Sequence, residues 1–527
     1  MAEDDRTMNI YRASRTIKRN QNSIFNALRS IYDDSIFVGE ISSLWPQLPL
    51  LANLRCGLWY APKFDSTCYF KSTDGHNNNW SFNTSRLNLH VARLAGQRGG
   101  CVIIDSTRKG KRFPDSMSKT IPMWMCVLNR AIVNYFERNG LDKGSNTVHH
   151  DYADRRNDSI SWDCSLHLPL WVSKTEKAAI EKRLEGWTKQ LEDSGADIGA
   201  IASSLSKPLR PLWISQQTVI WLNEVPDLDC WDFTPIILVS ASSSTGVFLQ
   251  RTTSEFSWHY ISGAGDDEES WARGLSPNLF WSNAYDLISS GPELCNRKVA
   301  DIVEKDRVYR ARRGQVAPQV IVKHKSVPAS NGNGYVYDEN LLLDSVVSKS
   351  KIGISPSDES CSISWLGSTN LAVGTTKHAT NAPDDIDCIL NCGSEAISIT
   401  SPDADAYLHL PIVISKYDRF SLLTNLPAAV NFAQSNLKKG KTLLICCYTG
   451  EDISICVCLA ILTSLFDEQG SYNDGDSFNS GDITKWEMQK RLVYICKFVT
   501  DARPSRGNLK QVFSFLSRGR NNLVPVL

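Results

Sequence analysis

Twice in this chain a short apolar run breaks into a loop of hydroxyls, glycine and charge and then resumes as helical periodicity, and that order constrains the fold more than any other feature. Residues 101–104 (CVII) read as a buried strand. The loop 105–120 follows, and from Pro122, a favoured first helical residue, Trp124, Leu128, Ala131 and Tyr135 share one face until Gly140. Toward the other end, 387–392 (DCILNC) and 441–447 (KTLLICC) read as buried strands, with a helical pattern through Leu426, Val430 and Ala433 between them and a helix over 453–466 after the second. Ser173 and Glu176 predict a capping box for a helix carrying Ile180, Leu184, Trp187 and Leu191. Strands alternating with helices, without hairpin signals, predict an α/β layer architecture with its sites on the loops at strand ends.

At 527 residues, 42% of them hydrophobic, the chain can bury more than one full core. The polar segment 349–358 (KSKIGISPSD), preceded by Asn331, Gly332, Asn333 and Gly334, predicts a linker between an N-terminal domain, 1–348, and a C-terminal domain, 359–527. No internal repeat of solenoid length is evident. The most apolar stretch, 453–466, is shorter than the roughly 18–20 residues that cross a bilayer, and the first thirty residues mix acids with bases, so a soluble cytoplasmic protein is expected. Fifteen cysteines without a repeated close spacing, several in apolar contexts, argue for free thiols.

Charge balances overall, 57 Lys and Arg against 57 Asp and Glu, but it is unevenly placed. Residues 485–527 carry nine Lys and Arg against two acids, Arg503, Arg506 and Lys510 among them; a second basic stretch holds Arg307, Arg310, Arg312, Arg313, Lys323 and Lys325. Such runs are either solvated surface or a footprint for a polyanion, which Lys and Arg bind with release of counterions.

Three loops have the residues for chemistry. Asp105 to Arg112 (DSTRKGKR) puts Arg108, Lys109, Gly110 and Lys111, with Lys119 beyond, where backbone amides and cations suit phosphate or pyrophosphate; the bland reading is a solvated basic turn. Asp105 itself, a carboxylate at the end of a buried strand, must be paired or used. Upstream, Asp74 and His76 lie in KSTDGH (71–76), either as a general base or as a polar turn. Asp266 and Asp267 lie in GAGDDEE (263–269), able to hold magnesium or ribose hydroxyls or to remain a solvated acidic loop. A fourth loop, CYTGEDIS (447–454), is similar to the phosphate loop of cysteine-dependent phosphatases: Cys447, Gly450 and Ser454 match, with Thr449 and Asp452 between. Ile453 replaces the arginine and Cys446 the usual preceding histidine, so the charge that would bind phosphate and lower the thiol pKa is missing.

Taken together, CGLWY (56–60), YFKSTDGH (69–76), IIDSTRKGKRFPD (103–115), SKTIPMW (118–124), SGAGDDEESWARGLSPNLFW (262–281) and TGEDIS (449–454) resemble the fungal and plant initiator tRNA phosphoribosyl transferases. The resemblance implies an N-terminal α/β transferase domain followed by a phosphatase-like α/β domain. It also implies transfer of 5-phosphoribosyl from phosphoribosyl pyrophosphate to the 2'-hydroxyl of adenosine 64 in initiator methionine tRNA, with magnesium assisting the leaving group. On it Asp74, His76 and Asp105 become catalytic candidates, Arg108, Lys109, Gly110, Lys111 and Lys119 the donor clamp, Asp266 and Asp267 metal ligands, and Arg310, Arg312, Arg313, Arg503, Arg506 and Lys510 the tRNA contacts. The alternatives are a tRNA-binding factor with an inactive phosphatase domain, and a phosphatase.

Overall fold

The apolar run beginning at Cys101 forms the middle of a five-stranded parallel sheet. The computed structural model describes residues 24–108, 111–140, 162–220, 226–244, 250–312, 363–380, 382–397, 406–413, 418–473, 483–499 and 502–517. In it the strands β1 (Leu50–Asn53), β2 (Ser66–Cys68), β3 (Cys101–Asp105), β4 (Leu209–Ser215) and β5 (Thr234–Ser240) are ordered β2-β1-β3-β5-β4. All four neighbouring pairs are parallel. The central strands are buried along their whole length, as a sheet covered on both faces requires, and so they read as unbroken apolar runs. Cys101 and Ile103 face a core built with α2 (Leu89–Arg98), α3 (Ile121–Arg138), α4 (Lys174–Asp193) and α5 (Ile198–Ser204). Val102 and Ile104 face the opposite core, built with α1 (Ile24–Leu44) and α6 (Gly291–Arg312).

From β1 the chain moves outward to β2, and from β3 it moves to the other side of the sheet. The carboxyl ends of β1 and β3 therefore border the crevice at which open α/β sheets bind ligands.

A second sheet has the order β11-β10-β12-β9-β8, from β8 (Ser364–Trp365), β9 (Leu371–Thr375), β10 (Cys388–Asn391), β11 (Tyr407–His409) and β12 (Leu443–Cys447). Helix α7 (Ser421–Leu437) precedes β12, and α8 (Ile453–Leu465) follows it, buried at every position. Helices α9 (Lys485–Phe498) and α10 (Arg506–Leu516) complete the layer around α8. No helix among the described residues is long and apolar enough to cross a membrane. The described cysteines are free thiols, most of them buried.

Two details depart from the sequence reading. A hairpin of β6 (Gln250–Thr252) and β7 (Ser257–His259) forms without Asn-Gly or Asp-Gly at its turn. The Thr253 side chain supplies the closure instead: its Oγ1 accepts from Phe256 N (3.2 Å), beside the backbone bond from Thr253 N to Phe256 O (2.8 Å). Strand β8 also runs antiparallel to β9. The predicted linker 349–358 lies outside the described residues, between the last residue described with the first sheet, 312, and the first described with the second, 363.

The two sheets' domains touch through polar contacts and an apolar one. Arg86 Nη2 donates to Pro504 O (2.8 Å), Arg503 Nη1 to Thr67 Oγ1 (2.7 Å) and Gln489 Nε2 to Ser85 Oγ (3.3 Å), and Lys497 pairs with Asp197 (3.0 Å). Val493 of α9 is buried in the core of the first domain.

Candidate active site

Asp105 ends β3 and has no solvent exposure. Its Oδ2 accepts from Asn53 Nδ2 (2.7 Å), Arg55 Nε (3.1 Å) and Ser116 Oγ (2.7 Å), and its Oδ1 from the Ser106 amide (2.8 Å) and Cys56 Sγ (3.1 Å). Five donors occupy the carboxylate. Of the two readings its burial left open, paired or used, the structure shows the pairing: Asp105 ties the ends of β1 and β3 to the start of α3.

Arg55, which follows β1, spans the crevice. It donates from Nη2 to Ser106 O (3.0 Å) and pairs with Asp266 (2.9 Å) as well as Asp105. Burial works against its charge, but Asp105, Cys56 and Asp266 outweigh that and hold its pKa above the ordinary value. The other carboxylate oxygen of Asp266 faces Arg108 (3.8 Å), whose Nη2 lies 2.8 Å from Asp267. Burial raises the Asp266 pKa although both arginines oppose it. Gly263 makes this pairing of basic loop and acidic turn possible. It has φ +65°, and a Cβ there would stand 2.1 Å from Thr107 O.

The expected magnesium ligands, Asp266 and Asp267, are thus engaged by guanidinium groups and do not fit a metal as arranged. Among the described residues no group of three or more His, Cys, Asp or Glu side chains converges on a metal position.

Alongside, the turn holding Asp74 and His76 packs on the segment 115–120. A Cβ on Gly75 would lie 2.7 Å from Asp115 O. Asp115 is the hub here, facing Lys111 (2.8 Å), Lys119 (3.4 Å) and His76 Nε2 (3.7 Å). Burial raises its pKa, but the two lysines prevail and the net shift is downward. Lys119 is buried between Asp115 and Glu176 (2.9 Å), so it is spent on structure rather than free to clamp a donor. Glu176 also accepts from Trp80 Nε1 (3.1 Å). Its carboxylate therefore does not close the predicted capping box, of which only Ser173 Oγ accepting from Glu176 N (3.1 Å) is present. Asp74 accepts from Ser81 Oγ (3.3 Å) and Asn83 Nδ2 (3.2 Å) and shapes the turn. The side chains facing solvent are Arg108 (64% exposed), Lys111 (58%) and His76 (50%). Lys109 and Gly110 lie outside the described residues.

Beneath the crevice, Asp34 of α1 is fully buried. It accepts from Ser242 Oγ (2.7 Å), Tyr260 OH (2.7 Å) and Gln216 Nε2 (2.8 Å), and Ser106 Oγ donates to Ser242 Oγ (2.7 Å). Burial, against these hydrogen bonds, raises its pKa to about 7. Sequence reasoning missed both Arg55 and Asp34. The available signal for Arg55 was its position just past the apolar run 50–54; Asp34 carries none, since it lies mid-helix.

In the second domain, Cys447, Thr449, Gly450, Asp452 and Ser454 form a turn between β12 and α8, with Cys447 Sγ 3.2 Å from Ser454 Oγ. Glu451 Oε1 accepts from Arg503 Nη2 (2.6 Å), and Asp452 Oδ1 accepts from Ser505 N (2.9 Å) and Asn508 Nδ2 (3.0 Å). A carboxylate and its guanidinium partner thus stand at this turn. Arg503, expected among the tRNA contacts, joins this loop to Thr67 of the first domain. Arg506 and Lys510 are exposed one turn apart on α10. Arg310 and Arg312 fall in the last turn of α6 with side chains outside the description, and Arg313 lies outside the described residues.

A family profile described as the Rit1 N-terminal domain matches residues 17–304, and one described as the Rit1 DUSP-like domain matches residues 406–516. An uncharacterised protein of Schizosaccharomyces pombe is 35% identical over 284 residues, 54% of this chain and 57% of its own length, so the chain spans little more than half of that relative. The tRNA A64-2'-O-ribosylphosphate transferase of Saccharomyces cerevisiae is 28% identical over 538 residues, 97% of this chain and 95% of that protein. Among solved structures, human DUSP28 covers 30% of this chain and 93% of its own at 16% identity and a TM-score of 0.23. The Yvh1 phosphatase domain from Chaetomium thermophilum covers 28% and 91% at 21% identity, with a TM-score of 0.23.

Proposed function

Because the chain belongs to the Rit1 family, whose N-terminal domain profile it matches over residues 17–304, we propose that it transfers 5-phosphoribosyl from phosphoribosyl pyrophosphate to the 2'-hydroxyl of adenosine 64 in initiator methionine tRNA. The observation that carries this reading is the alignment over 97% of the chain to the budding yeast tRNA A64 transferase. Modification of the T stem would keep this tRNA out of elongation, and we assign the reaction to the cytoplasm.

In this reading the donor lies in the crevice at the ends of β1 and β3, with its pyrophosphate toward Arg108 and Lys111. An exposed ion pair stabilises by only about 0–1 kcal/mol, so Arg108 gives up Asp266 and Asp267 for a polyanion at little cost. Arg55, held from both sides, fixes Asp266 at the crevice while this exchange occurs. The acceptor 2'-oxygen forms a bond to the anomeric carbon as the bond from that carbon to pyrophosphate breaks, its electron pair leaving with the pyrophosphate. The attacking hydroxyl's proton goes to His76, the solvent-facing imidazole of the site, oriented by Asp115. Positive charge on the sugar in the transition state is balanced by the crevice carboxylate Asp266. Magnesium, which favours substrate phosphates over all-protein cages, belongs in this reading to the donor rather than to Asp266 and Asp267. The tRNA stem offers its 2'-hydroxyls in a shallow minor groove, and Arg506, Lys510 and the end of α6 are assigned to its backbone.

Incubation with donor labelled in the ribose tests the reading. Label should enter initiator tRNA and not elongator methionine tRNA; absence of label from both would overturn it. The alternative of a phosphatase makes the opposite demand on Cys447. With Ile453 in place of arginine and Glu451 within the loop, Cys447→Ser should retain most of the transfer rate and no cysteinyl phosphate should form. Mass spectrometry after incubation with phosphate esters, beside a transfer assay of the variant, checks both halves.

A further inference from the structure

Directly after the basic loop, the chain builds an aromatic platform that the transfer chemistry does not use. Phe113 is buried, and the Trp171 ring lies parallel on it, centroids 4.9 Å apart and planes 12° apart. Trp213 meets Trp171 edge-on at 6.3 Å. The Arg112 guanidinium stands 5.6 Å from the Phe113 ring and 6.0 Å from that of Trp171, fixed by hydrogen bonds to Ser215 Oγ (2.7 Å) and Thr218 Oγ1 (3.0 Å). Although the rings are stacked and locked, Trp171 remains 51% exposed and its neighbour Leu170 fully exposed at the tip of the turn before α4.

Packing explains why Trp171 is rigid but not why two large apolar side chains face water. A rigid aromatic ring beside a fixed guanidinium is what holds an unstacked nucleobase, the ring taking its face and the cation the adjoining phosphate. Charge selects among possible occupants. Among the described residues the Arg112 guanidinium is held by neutral hydroxyls, those of Ser215 and Thr218, so its charge faces the platform uncompensated and suits a polyanion better than an apolar protein surface.

We propose that Trp171, backed by Phe113 and flanked by Arg112 and Leu170, stacks on an unpaired nucleobase of the RNA substrate and so sets the register of the stem against the crevice. This rests on the transferase reading and adds a recognition surface to it. Recognition of RNA sequence falls chiefly on splayed, unpaired bases, which the duplex target cannot itself provide.

The test measures binding of initiator tRNA to the full chain at several salt concentrations, beside a thermal melt and sedimentation. Trp171→Ala should bind about tenfold or more weakly, while the slope of log affinity against log salt stays that of the parent, because stacking releases no counterions. Trp171→Phe should restore most of the affinity. Leu170→Ser, at a fully exposed position, should weaken binding without moving the melt, and so remains informative if Trp171→Ala disturbs the fold. Parental affinity in Trp171→Ala and Leu170→Ser would overturn the proposal. So would a loss accompanied by a flatter salt slope, which belongs to a displaced Arg112, or conversion of a dimer to a monomer, which makes the patch a contact between copies. Transfer by the parent protein is scored separately: a parent that transfers label beside a Trp171→Ala variant of unchanged affinity removes this proposal and leaves the transferase reading intact.

Discussion

Arg108→Ala should lower phosphoribosyl transfer by about two orders of magnitude while changing stability by less than about 1 kcal/mol. The rate effect follows from placing a guanidinium where pyrophosphate accumulates charge; removing one such preorganised donor typically costs a hundredfold or more. Stability is insensitive because the side chain is 64% exposed and its pairs with Asp266 and Asp267 are screened. Lys111→Ala should act in the same direction but less, since Lys111 reaches the donor only by leaving Asp115. Single-turnover transfer with saturating tRNA, beside denaturant melts, separates the two quantities. Full activity in both variants would remove the donor from this loop.

Asp105→Ala should reverse that pattern, with about 3–5 kcal/mol of stability lost and transfer abolished only because the crevice no longer holds its shape. The substitution strands the partly buried Arg55 guanidinium opposite Asp266 alone and leaves Asn53, Ser116 and the Ser106 amide without their acceptor. Asp105→Asn should be milder but still destabilising, because one of its amide N–H groups must face donors. Chemical denaturation of the three proteins at one pH gives the ordering; an Asp105→Ala protein as stable as its parent would mean that the carboxylate is not the hub of this site.

These two arginine–carboxylate systems show how far the sequence could be read. Strands β3 and β12 and helix α3 were legible because a buried parallel strand must be continuously apolar and a helix with one wet face must repeat every three to four residues, while α8, buried at every position, was legible from the length of its apolar run. The basic loop and the acidic turn were legible as loops with chemistry, but not as partners. Their meeting depends on Gly263 backing onto Thr107, a contact between segments some 150 residues apart that periodicity does not encode. The surroundings of Lys119 and Asp105 were illegible for a related reason: residue type gives the charge, whereas burial and the number of partners are set by the fold. Glu176 had two competing uses, a local cap and a tertiary partner for Lys119, and it serves the buried ammonium, whose other carboxylate, Asp115, is farther off and shared with Lys111.

The bonds from Arg503 to Thr67 and from Arg86 to Pro504 join residues separated by 436 and 418 positions. On a ribosome adding residues from the N-terminus, β2 and the turn before α2 are synthesised long before their partners exist. The first domain must therefore complete its own sheet with that edge bare, and the joint closes only when the last helix emerges. Chain ends lost to premature termination would leave a first domain that carries the whole crevice but not the brace beside β2, so in the order of synthesis the phosphatase-like domain is the final step of assembly.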